Sequence, residues 1–343
     1  MNSLPAVPRD GFGRLRATGL DGLGLAFVLL WSSGYVVGAL ATEVIAPLTV
    51  TMWRFAGAAA VLAVIARYRK ETWPRGRQFW ALAGMGVPMF ALQFGALYTA
   101  MSEGMPASTT SLVACSSPLL VAVLSAAAGW ERLRARQWVG ILLGVAGVAV
   151  TLADRVGRPP SLGVLGWTLL GLLGLVIGTL LQSRVRIEAG PSAVVSVELA
   201  AAFVVMAVWA PLKGNLTIPL TAHALGTFAW LTLIAGVGAP LLLFALIRQR
   251  GATGASSLLF VVPAVTAIAA WPILGTPIGP LTLVGLVVVG FALRLARPVA
   301  DAVATGEAHA DVNVDATAAR ETPLVVAWDE CADGRPDQPA VVT

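Results

Sequence analysis

Ten stretches of this chain are each long and apolar enough to cross a lipid bilayer, and short polar connections join them. They fall near residues 20–40, 47–66, 79–100, 106–128, 136–153, 161–181, 191–211, 223–247, 252–274 and 279–296. A spanning helix needs roughly 17–25 apolar residues, because the hydrocarbon core is about 30 Å thick. In lipid each backbone N–H and C=O must be satisfied within the segment, which leaves the α-helix for stretches of this length. The expected fold class is therefore an all-α polytopic membrane protein with ten transmembrane helices. Composition agrees, with 57% hydrophobic and 12% charged residues, against about 45–50% and about 25% in soluble domains. No small-residue cleavage site follows the first stretch, which reads as a retained helix and not a removed signal peptide.

The ten stretches divide into two sets of five. The segment Gly104 to Gly147 has a weaker copy 145 residues later: Ala107 falls on Ala252, Ser111 on Ser256, Pro118 on Pro263 and Gly140 on Gly285. Upstream at the same offset, Leu97 meets Leu242 and Glu43 meets Glu188. A repeat of this kind constrains the architecture before any single residue does. Orientation follows from the basic residues. With a cytoplasmic N-terminus the inner face carries seventeen Lys and Arg, and the outer face only Arg155, Arg158 and Lys213. This is the positive-inside pattern, and it puts both termini in the cytoplasm. Five is odd, so the second set enters the membrane from the opposite side and the repeats are inverted, an architecture that places a transport site near the midplane.

The expected organisation is a cytoplasmic segment 1–19, a first five-helix repeat 20–153, a linker 154–160, a second repeat 161–297, and a tail 298–343. The tail holds nine acidic residues and two arginines, a composition that reads as disordered and cytoplasmic.

Two ionisable residues fall well inside spans, Arg54 and Glu198. Each lies about 10 Å from the start of its helix at 1.5 Å per residue. A charge there costs roughly 2.5–3.5 kcal/mol on insertion scales and normally faces a cavity or a partner. At the 145 offset Trp53 aligns with Glu198 and Arg54 with Leu199, which suggests similar depth. The expectation is that both face a central cavity, as an ion pair or as separate handles for a charged or zwitterionic substrate. The competing reading has Arg54 snorkelling or bracing helices, and Glu198 protonated or bonded to a neighbour. Glu198 is also the candidate for proton coupling, as the one carboxyl group deep in a span.

Trp31, Ser32, Tyr35, Gln93, Tyr98, Gln182 and the Ser116–Ser117 pair are the polar and aromatic candidates for lining a substrate pathway, with ordinary packing as the alternative. Trp73, Trp80, Trp130, Trp138, Trp167, Trp209 and Trp230 lie near span ends and fit an interfacial belt. Pro88, Pro118, Pro240, Pro263 and Pro272 lie midspan, where they can kink helices. Gly140 and Gly144 offer the four-residue spacing that lets helix backbones approach.

No catalytic residue, metal site or cofactor is expected. The two histidines are His223 and His309, and the chain has no nucleophile elbow, zinc pattern or phosphate-binding loop. Cys115 and Cys331 sit in an apolar run and a polar tail, which argues against a disulfide. The basic balance belongs to the inner loops and not to a nucleic-acid site. A secondary-active carrier moving a small solute through a midplane cavity is therefore favoured over an intramembrane enzyme or a channel-like facilitator without ion coupling. Its expected partners are a small-molecule substrate, protons and membrane lipid, with no nucleic acid, in a monomer or homodimer.

Several short pieces in order carry a resemblance: Trp31-Ser32-Ser33 with Tyr35-Val36, Pro47-Leu48 with Arg54-Phe55, Pro118-Leu119, and Gly129-Trp130-Glu131-Arg132-Leu133. The last is similar to a Gly-Glu-Arg-Leu loop with one residue inserted or substituted. Over about residues 22–296 the chain resembles ten-helix members of the EamA-like family in the drug/metabolite transporter superfamily. The resemblance implies transport of small solutes such as amino acids, other metabolites or toxic compounds, often outward, across the cell membrane. The second half departs from the pattern, with Thr276 where Glu131 stands in the first.

Overall fold

The computed structural model describes residues 22–296 except 131–132, 154–159, 186 and 213–215. The N-terminal segment 1–19, Glu131, most of the linker and the acidic tail lie outside the described residues.

Thirteen α-helices are described: α1 Gly22–Val44, α2 Pro47–Tyr68, α3 Gly76–Gly86, α4 Gln93–Ser102, α5 Ala107–Cys115, α6 Ser117–Ala127, α7 Ala135–Ala153, α8 Leu162–Gln182, α9 Pro191–Trp209, α10 Ala222–Ala229, α11 Ala239–Leu258, α12 Val262–Leu274 and α13 Pro280–Ala296. Wider π-helical turns, Val87–Leu92 and Trp230–Gly238, join α3 to α4 and α10 to α11. Among the described residues there is no strand. Eight continuous helical stretches are long and apolar enough to cross a membrane, ending with Ala222–Gln249, and α12 and α13 are shorter apolar helices.

The interruptions have a local cause. Proline lacks an N–H and its ring clashes with the carbonyl four residues back. Pro88 lies at the start of the first π segment, and Pro240 follows the second at the second residue of α11. Pro118 follows the break at Ser116 between α5 and α6, and Pro263 follows the turn between α11 and α12. Pro272 alone lies inside a helix that continues through it. The connection expected at 248–251 is instead helical, because α11 runs through it. Those residues contain no proline, and the glycine they do contain costs a helix only about 1 kcal/mol.

Three helix pairs organise the packing: α2 on α9, α5 on α12, and α7 on α13. In addition α1 packs on α12, α11 and the second π segment, α8 on α4, α5, α6 and the first π segment, and α3 on α9. One apolar core joins Phe27, Tyr35, Leu97, Tyr98, Cys115, Leu246 and Val262, and a second joins Phe55, Leu62, Leu199, Ala202 and Met206. The outward faces are equally apolar: Val64, Leu142, Val204, Val208 and Val287 are each more than 60% exposed. Contiguous apolar surface of this kind suits a lipid environment.

The seam between α7 and α13 is tight. A Cβ at Gly147 would lie 2.8 Å from Val289 Cγ2 and 3.1 Å from the Gly285 carbonyl, and one at Gly285 would fall on the Thr151 hydroxyl. Glycine is required at both positions for the backbones to meet.

Candidate functional site

Arg54 lies in the second turn of α2 and is 4% exposed. Its Nη1 donates a hydrogen bond to the Tyr98 hydroxyl, which in turn donates to the Gly34 carbonyl at 3.2 Å. The guanidinium stands over three rings, 4.5 Å from the centroid of Phe94, 5.2 Å from Phe55 and 5.4 Å from Tyr98. These rings hold one another: Phe94 meets Tyr98 edge-on at 5.8 Å, and Phe55 meets both Phe90 and Phe94 at 6.1 Å. Phe90 and Phe94 stack at 6.5 Å. Each cation–π contact is worth about 0.5–2 kcal/mol depending on desolvation, so the planar head is fixed without a counter-ion. Its Nε is buried with no hydrogen-bond partner.

Glu198 on α9 is 1% exposed, and its Oε1 has no partner. On its own helix Val195, Leu199 and Ala202, all members of the second apolar core, flank it. No hydrogen bond or ion pair joins it to Arg54. Nor are the two charges at one level. Ser196 Oγ donates to the Ala59 carbonyl at 2.9 Å, and Ser192 meets Glu71, so α2 and α9 run antiparallel. That register sets Glu198 opposite residue 57, about one helical turn, or ~4.5 Å, from the level of Arg54. The depth expected from equal distances along the two helices is thus corrected, because the helices start from opposite ends of the pair.

The other candidates separate. Tyr35 is buried in the same packed cluster as Tyr98, the hydrogen-bond partner of Arg54, and Cys115. Ser32 is buried one turn earlier, and its hydroxyl donates to the Val262 carbonyl at 3.2 Å, at the break before α12. Trp31 is half-buried against Phe27, ring centroids 5.3 Å apart. Gln93 is buried where the first π segment ends, with its backbone against α8: a Cβ at Gly174 would lie 2.9 Å from its nitrogen. Ser116, at the break, donates back to the Val113 carbonyl of α5 at 2.6 Å. Gln182 is half-buried at the last residue of α8, apart from the Arg54 cluster. The structure thus brings Arg54, Tyr98 and Tyr35 together and leaves Gln182 outside.

Sequence reasoning missed the aromatic cage. Its signal was present: Phe90, Phe94 and Tyr98 recur every four residues, which is one helix face, and Phe55 directly follows Arg54. It also missed Glu71, the one acid in a connection holding five Lys and Arg at 67–78. Its carboxylate accepts from Ser192 N at 2.8 Å, Ser192 Oγ at 2.9 Å and Ala193 N at 3.1 Å.

A cavity of about 220 Å³ lies at the opposite end of the α2–α9 pair. Ala46 to Thr49, Thr99, Ser102, Glu103, Trp167, Trp209 and Ala210 line it. Trp167 and Trp209 form part of its wall, half-buried with ring centroids 6.4 Å apart. They are therefore less a belt than Trp80 and Trp138, which stand 74% and 47% exposed.

Comparison with known proteins bears on the whole. The model of the EamA-like transporter family matches residues 20–153. A protein of Escherichia coli strain K12 named "Uncharacterized inner membrane transporter YedA" is 26% identical over 266 residues, 77% of this chain and 84% of that protein. Proteins of the same name from strains O6:H1 and O157:H7 match to the same extent. A solved crystal structure, 20% identical, covers 82% of this chain and 97% of its own with a TM-score of 0.58, a likeness of fold. The short pieces around Trp31, Arg54 and Pro118 thus lie within residues 20–153, the stretch over which this polytopic membrane chain is similar to the EamA-like transporter family.

Proposed function

We propose that the chain is a secondary-active carrier in the inner, or plasma, membrane that exports a small solute bearing an anionic group by alternating access. In this reading it has ten spans in two inverted five-helix repeats, with both termini cytoplasmic. An amino acid, another metabolite or a drug-like compound with a carboxylate would suit the site. The observation that carries the proposal is Arg54: a permanent charge, buried, held over aromatic faces, and lacking any carboxylate partner. Retaining such a charge in a span is costly. A substrate carboxylate that engages the open guanidinium edge through charge-assisted hydrogen bonds offsets that cost. Glu198, about one turn (~5 Å) away along the helix pair, is the second handle, for a substrate ammonium or for a coupled proton.

The repeat reading is supported by features that recur at the 145-residue offset. The π segment Val87–Leu92 shifts onto 232–237, within Trp230–Gly238, and the break at Ser116 shifts onto 261, in the turn before α12. Packing exchanges in the same way: α1 on α12 mirrors α8 on α6, and α4 on α8 mirrors α11 on α1. The similarity to an inner membrane transporter supports the location.

The test uses purified protein in liposomes and a panel of labelled amino acids and other small anions, with and without an imposed pH gradient. Arg54→Gln is expected to reduce transport of the accepted solute at least tenfold at normal protein level. Wild-type transport in that variant overturns the assignment. Transport indifferent to the gradient removes proton coupling and leaves Glu198 as a binding residue, whose role Glu198→Gln then reads. Exchange accelerated by solute on the far side is expected of a carrier and not of a channel.

A further inference from the structure

The start of α9 is joined to the α2–α3 connection by more than packing. Gly190, which precedes the helix, offers no side-chain cap. The first turn of a helix leaves its N–H groups without intrahelical partners, and here those of Ser192 and Ala193 go to the Glu71 carboxylate, which also takes the Ser192 hydroxyl. Two further bonds close the same junction: Gly190 N donates to the Thr72 carbonyl at 2.9 Å, and Thr72 Oγ1 donates to the Glu188 carbonyl at 3.3 Å. Five hydrogen bonds thus tie one half of the chain to the other at a single end of the α2–α9 pair.

The other end is built differently. At the 145-residue offset Ser192 and Ala193 correspond to Pro47 and Leu48, and Glu71 to Leu216. Pro47 and Leu48 begin a helix that also lacks a side-chain cap, but they border the 220 Å³ cavity. Leu216 supplies only a backbone carbonyl, which accepts from the Trp53 indole at 3.3 Å. Corresponding positions are therefore latched at one end and open at the other.

We infer that Glu71 is a gate residue: its carboxylate latches the Arg-rich face shut by holding α9 to the α2–α3 connection, and its release opens that face toward the Arg54 cluster. The inference rests on the transport reading above. A residue serving only as a helix cap would affect stability but not the side from which the centre is reached.

The chain offers its own reporter. Cys115 is buried in the core cluster that contains Tyr35 and Tyr98, and the only other cysteine is Cys331. In a Cys331→Ser background, vesicles of each orientation are treated with a membrane-impermeant maleimide, and the rate of Cys115 labelling is measured. Two variants release the latch from opposite sides. Glu71→Ala removes the acceptor. Gly190→Ala keeps it but adds a Cβ 2.6 Å from Glu71 Oε2 and 2.7 Å from its Cγ, which displaces the carboxylate. Both are expected to accelerate labelling from the latched face at least tenfold, with no rise from the other face. Labelling at the wild-type rate in either variant, or a rise equal from both faces, overturns the inference. Should Glu71→Ala accumulate poorly, Gly190→Ala decides alone. Failure of the transport reading is separable: labelling would shift as stated while no solute crosses.

Discussion

Arg54 was visible in the sequence because a charge in an apolar run is costly and normally faces a cavity or a partner. Its surroundings were not, since a phenylalanine in a span reads the same whether it faces lipid or a guanidinium. Tyr98 shows what the cage does. Removing its hydroxyl in Tyr98→Phe keeps the ring but takes away the acceptor for Arg54 Nη1 and the donor to the Gly34 carbonyl. Leaving buried polar groups unpaired in this way is expected to cost about 1–3 kcal/mol, read as a lower melting temperature in detergent, with a raised KM for the transported solute. Arg54→Lys tests the fork itself. Lysine keeps the charge but not the planar, bidentate head or its stacking, so transport should fall nearly as far as in Arg54→Gln. Near-normal transport in Arg54→Lys would mean that charge alone suffices. Glu198 was equally legible as a buried charge, but its level was not: the register of α2 on α9 comes from Ser196 and Ala59, a contact 137 residues apart.

The elements were legible where hydrophobicity runs long and less so where proline acts on the backbone. A run of apolar residues gives the existence of a span, but not that Pro88 accompanies a π turn or that Ser116 breaks a helix two residues before Pro118. The connection at 248–251 misled for the converse reason, since two arginines suggest a loop while the backbone continues as helix. Helix contacts hinge on single glycines that composition does not distinguish. A Cβ at Gly86 would lie 2.6 Å from the Glu198 Cα and 2.7 Å from its carbonyl carbon. Gly86→Ala is therefore expected to push α3 from α9 and destabilise by about 1–3 kcal/mol, as overpacking does. Gly84→Ala, with nothing within 4 Å of the added carbon, is the matched control and should melt within about 0.5 kcal/mol of wild type. Equal melting of the two variants would remove the close approach as a determinant of this interface.

At the scale of the molecule, the charge bias of the connections argues for one topology, and an even number of spans returns the chain to its starting side. An N-terminal tag and Cys331 should accordingly react from the same face, in vesicles of one orientation only. Reaction from opposite faces would require an odd number of spans and undo the inverted-repeat reading. The seam between α7 and α13 bears on what moves. Those helices approach closely at Gly147 and Gly285, where the Val289 side chain and the Thr151 hydroxyl already fill the space that a Cβ would take. The α2–α9 pair instead has a carboxylate at one end and a cavity at the other. In the proposed transport cycle, put in the language of machines, the first pair is the stator and the second carries the stroke. A disulfide engineered across the glycine seam should leave turnover intact, whereas one that replaces the Glu71–Ser192 bonds should stop it.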